Sequence, residues 1–231
     1  MATRRDLRGD LVACLALPST EHNVSHLERR MLQRPISRAA KRGFDVAFSV
    51  MVLIWLLPFL ILIAVALFVE SGGPVIFRQR RGGRGAKPFT IYKFRTMRVL
   101  EDGADVVQAT LNDPRVTKLG AFLRRTSLDE LPQLWNVVVG DMSIVGPRPH
   151  AAAHDCLYEK VIPSYRHRYV VKPGITGWAQ VHGLRGETSQ VEAMSARVTA
   201  DLWYIDNWSF WLDLRIIVKT AKELLFAKCA Y

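Results

Sequence analysis

A stretch of 24 residues without a charged side chain, Val46 to Val69, restricts the folds open to this chain more than any other feature. A helix of this length is long enough to cross the roughly 30 Å hydrocarbon core of a bilayer. Pro58 lies in the middle of the stretch, and a proline in a helix interior removes a hydrogen bond and kinks or breaks the helix. The sequence therefore predicts a membrane-associated helix that is interrupted at Pro58.

The residues that flank this stretch are basic on both sides. Before it come Arg34, Arg38, Lys41 and Arg42, and after it come Arg78, Arg80, Arg81, Arg84 and Lys87. Basic residues beside apolar helices favour the cytoplasmic side, so this pattern places both ends there. A helix that enters the membrane, breaks at Pro58 and returns satisfies the pattern. A bent helix that spans the membrane once is the commoner arrangement, and the residues alone favour it.

The chain carries a formal net charge of +11 over 231 residues. Such a charge favours anionic partners: nucleic acid, anionic lipid headgroups or phosphorylated substrates. A nucleic-acid-binding protein would explain the charge but not the apolar stretch. We therefore expect anionic lipids of the membrane and a phosphorylated substrate as partners, and no nucleic acid.

The segment after the apolar stretch predicts a β-hairpin. Residues 75–77 and 89–94 have the composition of short strands, and a glycine-rich turn separates them. Further along, Asp113 and Pro114 are typical of a helix N-cap and a first helical position.

The second half of the chain is predicted to be mainly helical. A helix is predicted over 131–139, beginning near Asp129 because Pro132 is acceptable only in a first turn. Residues 150–170 predict another helix, and residues 198–226 predict one or two amphipathic helices.

Two adjacent carboxylates, Asp129 and Glu130, are the first candidates for chemistry. Ser127 followed three residues later by Glu130 fits a capping box, which is an ordinary structural role for this pattern. Carboxylates also bind Mg²⁺ together with substrate phosphates, and they can attack phosphorus as nucleophiles. Two neighbouring carboxylates could divide those tasks.

Several basic residues surround the carboxylates in sequence. Arg124 and Arg125 end the preceding predicted helix, where they either complement its dipole or neutralise a diphosphate. Arg148 lies between Pro147 and Pro149, which stiffen the chain and lower the entropy cost of presenting its guanidinium. An exposed loop arginine is the alternative.

Two further positions are less specific. Lys93 and Arg95 are two residues apart in a predicted strand and project to the same face, toward a phosphate or toward solvent. Asp213 lies among aromatic residues, where a cap of the last helix is the simpler interpretation.

Ordered motifs along the chain carry a family resemblance. They are Lys41-Arg-Gly-Phe-Asp45, Tyr92-Lys-Phe-Arg-Thr-Met97, Asp113-Pro-Arg-Val-Thr117, Ser127-Leu-Asp-Glu-Leu-Pro-Gln-Leu134, Gly140-Asp-Met-Ser-Ile-Val-Gly-Pro-Arg-Pro149, Lys172-Pro-Gly-Ile-Thr-Gly-Trp-Ala-Gln180 and Trp208-Ser-x-x-x-Asp213. From about residue 38 to residue 231 the chain resembles the bacterial sugar transferases, which are monotopic polyprenyl-phosphate glycosyl-1-phosphate transferases.

The resemblance implies a reaction: a UDP-sugar and undecaprenyl phosphate give undecaprenyl-diphosphate-sugar and UMP, with Mg²⁺ as the cofactor. It implies that Asp129 is the covalent nucleophile and that Glu130 assists with metal and phosphate, so both are candidate metal ligands. The candidate substrate- or phosphate-binding residues are Lys93, Arg95, Arg124, Arg148, Arg185 and Asp213. The resemblance also implies a re-entrant apolar helix, against the preference from the residues alone.

The implied fold class is mixed α/β and mainly helical, with a re-entrant membrane helix, a small β-hairpin and amphipathic interfacial helices. Residues 1–40 are expected to form a poorly ordered basic arm, 41–71 the re-entrant helix broken at Pro58, and 72–231 a compact catalytic domain. The resemblance places that domain on the cytoplasmic face of the bacterial inner membrane. A homo-oligomer is compatible with the sequence. A basic membrane-binding module without turnover is the alternative from a different functional class.

The sugar is indicated by finer features. Gly183-Leu-Arg-Gly-Glu-Thr188 and the terminal Ala230-Tyr231 resemble the branch that initiates exopolysaccharides with glucose-1-phosphate, and galactose-1-phosphate is the alternative. The chain departs from the family pattern at Leu57, where serine is common, and at His182, where asparagine is common. The four-helix membrane domain that precedes many relatives is not found, so we expect a minimal catalytic unit.

Overall fold

A computed structural model of the protein describes residues 35–98, 113–184, 186 and 190–226. The elements in chain order are α1 Pro35–Ser71, β1 Ile76–Gly82, β2 Pro88–Phe94, α2 Lys118–Arg125, α3 Gln133–Val139, β3 Ser143–Val145, α4 Ala152–Val161, β4 Gly174–Thr176, α5 Val191–Asp206 and α6 Phe210–Phe226. Short 3-10 helices cover Arg84–Ala86, Leu128–Glu130, Tyr165–Val170 and Gln180–His182. The fold is mixed α/β and mostly helical, as predicted. Residues 1–34 of the arm predicted at 1–40 lie outside the described residues.

The apolar stretch forms one long helix, α1, of 37 residues. Only 11% of its most apolar part is buried within the protein. Its exposed side chains include Ile54, Trp55, Leu62 and Val69. A helix with this length and composition fits association with a membrane.

The bounds of α1 differ from the prediction in two ways. The helix begins at Pro35, so residues 35–40 belong to it and not to the arm. Helical structure also continues through Pro58, and the expected break is not observed. A proline removes one N–H, and the turns on either side keep their own hydrogen bonds, so an interior proline can be accommodated within one helix. The re-entrant path stays a prediction.

Both ends of α1 contact the same body of the protein. Near its start, Nζ of Lys41 lies 2.5 Å from Oδ2 of Asp213, and Oδ2 of Asp45 accepts a 2.7 Å hydrogen bond from the hydroxyl of Ser143. Near its end, Ile63 and Leu67 are buried in a cluster with Phe94 of β2 and Leu123 of α2. The exposed middle of the helix therefore lies between two anchored ends.

The predicted hairpin is confirmed. β1 and β2 pair antiparallel, with Ile76 opposite Phe94 and Gly82 opposite Pro88. β1 is longer than the predicted 75–77 because the basic residues after Phe77 continue the strand.

A second pair of strands was not predicted. β3 and β4 pair in parallel through only three residues each, too few for a periodic pattern. Gly174 makes this pairing possible, because a Cβ on it would lie 2.1 Å from the backbone nitrogen of Gly146.

The main core joins β2, α3, β3, α5 and α6. Its buried apolar residues include Ile91, Val137, Val145, Tyr204 and Ile216. Burial of this apolar surface is the main force that holds α5 and α6 against β2 and β3.

The helix predicted to end with Arg124 and Arg125 is confirmed, but its predicted start at Asp113 is wrong. α2 begins at Lys118, and Thr117 is its N-cap, with a 2.9 Å hydrogen bond from the backbone N–H of Gly120 to Oγ1. The Asp113 side chain instead accepts a 2.9 Å bond from the backbone N–H of Arg115 and forms a turn, an alternative that aspartate commonly takes.

The other helix predictions are partly confirmed. Residues 150–170 form α4 and a separate 3-10 helix, because Pro163 prevents one continuous helix. Residues 198–226 fall in two helices, α5 and α6, and α5 begins earlier than predicted.

Candidate active site

A cavity of about 540 Å³ lies between the hairpin, α2 and the segment that follows β3. Six of the residues predicted from the sequence line it: Lys93, Arg95, Arg124, Asp129, Glu130 and Arg148. They come from four separate parts of the chain, so tertiary packing brings them together.

A strained turn carries the two carboxylates. Ser127 adopts a left-handed conformation, with φ of 56° and ψ of 18°, which non-glycine residues rarely take. The 3-10 helix Leu128–Glu130 follows it, and α3 begins only at Gln133. The Ser127 side chain makes no capping hydrogen bond, so the capping-box interpretation is wrong. Strain of this kind is often concentrated at functional sites.

Glu130 is clamped by two cations. Nζ of Lys93 lies 2.7 Å from Oε1, and Nη1 of Arg148 lies 3.1 Å from Oε2, with Nη2 of Arg148 also bonded to Oε1. Burial alone would raise the pKa of Glu130, but the charges of Arg148 and Lys93 outweigh burial and lower it well below its usual range. Glu130 is therefore a fixed anion.

Asp129 has a different environment although it is the next residue. The residue is only 9% exposed, and its carboxylate takes part in no ion pair within the part of the chain that the structure describes. Burial, followed by the negative charge of Glu130, raises the pKa of Asp129 to about 6, against the opposing effect of Lys93, Arg124 and Arg148. The pair thus combines one clamped carboxylate with one that is available.

The two arginines of α2 differ in position. Arg124 lines the cavity, and its Nη1 lies 3.5 Å from Sδ of Met97. Arg125 is exposed at the end of the helix, where it complements the helix dipole.

Arg95 lines the cavity and also has a structural contact. It is buried, and its Nη2 donates to Oγ of Ser71 at 2.6 Å and to the carbonyl of Gly72. Arg95 therefore attaches the end of α1 to β2 beside the site.

Asp213 does not line this cavity, and its substrate-binding role stays a prediction. The residue is 2% exposed, and its carboxylate contacts Lys41 Nζ at 2.5 Å, Tyr204 Oη at 2.7 Å and Trp208 Nε1 at 3.1 Å. Three donors surround a fully buried carboxylate, so Asp213 links the start of α1 to α5 and α6. Arg185 lies outside the described residues.

Sequence reasoning missed several cavity residues, among them Arg81, His150 and Arg197. They belong to β1, to the segment after β3 and to α5, and no spacing along the chain connects them. Arg197 bonds the carbonyls of Leu184 at 3.0 Å and Gly186 at 3.1 Å. His150 directly follows the Pro-Arg-Pro motif, and that adjacency was the one available signal.

The carboxylate pair offers oxygen ligands of the kind that Mg²⁺ takes. No group of three or more potential metal ligands was found among the described residues. Mg²⁺ is commonly held by one or two carboxylates together with substrate phosphates, so a larger cluster is not required. Asp129 lines the cavity, and Oε2 of Glu130 has one bonded partner among the described residues, where an oxygen accepts about two.

The cavity also has apolar lining residues. They include Phe48, Val52, Ile144, Ile175, Ile217 and Leu224. Phe48 and Val52 belong to α1, so the long apolar helix forms part of the cavity wall. The lining therefore combines cationic with apolar side chains.

Comparison with known proteins agrees with this arrangement. The sequence profile of the family described as bacterial sugar transferase matches residues 36–227. A UDP-glucose:undecaprenyl-phosphate glucose-1-phosphate transferase of Xanthomonas campestris pv. campestris is 55% identical over 193 residues, which cover 83% of this chain and 40% of that protein. The Escherichia coli (strain K12) protein of the same name is 53% identical over 196 residues, covering 85% and 42%.

A relative of more similar length is found in Caulobacter vibrioides. It carries the same name and is 52% identical over 201 residues, which cover 85% of this chain and 75% of that protein. The chain spans less than half of the Xanthomonas and Escherichia proteins. Because the family profile and these relatives cover most of its length, this chain belongs to the bacterial sugar transferase family.

Proposed function

We propose that this protein transfers sugar-1-phosphate, with glucose-1-phosphate as the expected group, from a UDP-sugar to undecaprenyl phosphate. The products are undecaprenyl-diphosphate-sugar and UMP, and the reaction would be the first membrane step of exopolysaccharide, capsule or O-antigen synthesis. The observation that carries the proposal is the available carboxylate of Asp129 beside the clamped Glu130, in a cavity lined by cations. The names of relatives above 50% identity support glucose.

The chemistry assigned to Asp129 is a double displacement at the phosphorus that bears the sugar. Its carboxylate oxygen forms a bond to that phosphorus, and the bond to the bridging oxygen breaks, which releases UMP. An oxygen of undecaprenyl phosphate then attacks the same phosphorus and frees the Asp129 carboxylate. No net proton transfer to carbon or oxygen of the sugar is required.

The cationic residues have an electrostatic role in this scheme. Lys93, Arg124 and Arg148 surround the carboxylates, and they would stabilise negative charge on the phosphoryl oxygens in the transition state. Mg²⁺, held by Asp129 and Glu130 with the diphosphate, would supply further neutralisation of charge when bound.

The apolar part of the cavity lining supports a lipid acceptor. A polyprenyl chain needs an apolar path from the membrane to the reacting phosphorus, and the cavity residues of α1 and α6 provide such a surface. A soluble acceptor would not need it.

The anchored ends of α1 support a path in which both ends lie on one side of the membrane, and the basic flanking residues favour the cytoplasmic side of the inner membrane. Helical structure continues through Pro58, so a re-entrant path would bend at this proline without ending the helix. Both ends contact one body, and a body on one side of the membrane cannot hold both ends of a spanning helix.

The reaction is tested by incubating the membrane-bound protein with Mg²⁺, undecaprenyl phosphate and each of a panel of UDP-hexoses. We expect UMP release with UDP-glucose, and loss of release when a chelator removes Mg²⁺. Release with UDP-galactose alone would reassign the sugar. No release with any UDP-hexose would leave the non-catalytic membrane-binding module as the function.

The reaction rate should fall at acidic pH. An aspartate is a nucleophile only as the anion, and the pKa of Asp129 is raised to about 6, so each pH unit below that value lowers the reactive fraction about tenfold. Above it the rate should be constant. Lys93→Met should move the midpoint upward, because the charge of Lys93 lowers the pKa of Asp129. A pH-rate profile checks both points, and a downward shift in the variant would contradict the assignment.

The topology can be measured with single cysteines at the exposed positions Ala39 and Arg78, in a chain whose own cysteines are replaced by serine. In intact spheroplasts we expect neither position to react with a membrane-impermeant maleimide, because both would lie inside. Both should react after permeabilisation. Reaction of one position alone in intact spheroplasts would establish a spanning helix.

A further inference from the structure

The backbone around Arg148 has few N–H groups that can donate hydrogen bonds. Pro147 and Pro149 have no N–H, so Arg148 is the one residue of the three that can donate. The segment is instead held through three consecutive carbonyl oxygens: that of Pro147 accepts from the Gly174 backbone N–H at 2.9 Å, that of Arg148 from Arg168 Nη2 at 2.7 Å, and that of Pro149 from Arg81 Nη1 at 3.0 Å.

Arg168 is held from its other edge. Arg168 is 4% exposed. Its Nε donates to Oδ2 of Asp201 at 2.8 Å, and its guanidinium lies 4.9 Å from the ring centre of Tyr165. Asp201 is itself 2% exposed. A buried ion pair of this kind adds little net stability over an apolar pair of similar volume. The Arg168–Asp201 pair is therefore better explained by the position that it gives the Arg168 guanidinium than by a gain in folding stability.

We propose that Arg168, fixed by Asp201, is a positioning residue for Arg148. By holding the Arg148 carbonyl, it sets the point from which the side chain extends to Glu130. The inference rests on the proposed phosphoryl transfer, in which the Arg148 guanidinium acts at the reacting phosphate. A displacement of about 1 Å at such a group can cost about 100-fold in rate.

Arg168→Lys separates positioning from charge. A lysine can still pair with Asp201, but its single ammonium lacks the second edge that reaches the Arg148 carbonyl. We expect kcat to fall between about 30-fold and about 100-fold, while KM for UDP-glucose and the melting temperature stay near the wild-type values. Arg166→Lys is the matched control, since Arg166 lies in the same 3-10 helix and pairs with Glu159 at 3.7 Å away from the cavity. A wild-type kcat in Arg168→Lys would overturn the proposal.

A double-mutant cycle tests whether Arg168 acts through Arg148. In an Arg148→Met background, Arg168→Lys should have no further effect on kcat, because the guanidinium it positions is gone. An equal fall in both backgrounds would show a general structural role and overturn the proposal. If Arg168→Lys does not fold, the double variant Arg168→Leu/Asp201→Leu removes both buried charges together. It should fold and show the same loss of kcat, and a wild-type kcat would contradict the inference.

Hydrogen exchange separates this proposal from the proposed function. If no UDP-hexose supports UMP release, the reaction is wrong, but the restraint on the 147–149 backbone can still be measured. The Gly174 amide bonds to the Pro147 carbonyl, so its exchange should be faster in Arg168→Lys than in the wild type or in Arg166→Lys. Unchanged exchange would refute the positioning role.

Discussion

Asp129→Asn is expected to lower UMP release by at least about 10⁴-fold, because an amide cannot attack phosphorus and the residual rate comes from the remaining electrostatics. The substitution is nearly isosteric. It also removes a buried carboxylate whose pKa is already raised to about 6, so the folded state should not lose stability. The measurement is UMP release from UDP-glucose by wild-type and variant protein at equal amounts in membranes.

A control variant and a labelling experiment test whether Asp129 is the nucleophile. Asp141→Asn is the matched control, since Asp141 is an exposed aspartate that follows α3, and it should keep the wild-type rate. With donor labelled on the phosphate next to the sugar and no lipid acceptor, the wild-type protein should retain covalent label and Asp129→Asn should not. An active Asp129→Asn protein would contradict the assignment of the nucleophile.

Arg148→Met is expected to lower kcat by about 10³-fold, in the range seen when an arginine that stabilises phosphoryl transfer is removed. The change takes away the two-pronged contact with Glu130 and leaves Lys93 as its remaining cation in the described part of the chain. The pKa of Glu130 should rise, because the charge of Arg148 is the largest effect that lowers it. Arg148→Lys should recover only part of the rate, since an ammonium cannot form both contacts.

The kinetic pattern distinguishes the role of Arg148 from simple binding. A group that acts in the transition state lowers kcat and kcat/KM together, whereas a group that only binds the donor raises KM. Arg166→Met, which removes an arginine outside the cavity, is the control and should leave both constants unchanged. A raised KM with an unchanged kcat would assign Arg148 to donor binding alone.

Local features of the sequence were sufficient for much of the cavity lining. Asp129 and Glu130 are adjacent, Lys93 and Arg95 are two residues apart at the end of β2, and Arg148 is marked by two prolines, so each was visible without tertiary information. The hairpin and the long apolar helix were also predicted, because both follow from composition and from periodicity over short distances.

Other features depended on contacts between distant residues. Asp213 was expected at the substrate, and it is buried against Lys41, 172 residues earlier in the chain. The capping box at Ser127 and the helix start at Asp113 both fit local rules, and other hydrogen bonds replaced them. The β3–β4 pairing and the contact of Arg168 with the Arg148 carbonyl join residues that no periodic pattern connects.

The sequence by itself determined the residue types of the candidate site and the presence of a long apolar helix, because these depend on local composition and on the motifs around Asp129. Only the tertiary structure decided which charges meet. Burial next to a clamped Glu130 raises the pKa of Asp129, and the position of Arg148 depends on Arg168 through a backbone carbonyl. Both effects arise from desolvation and from distances of a few ångströms between segments far apart in the chain, and neither is encoded in any short stretch of residues.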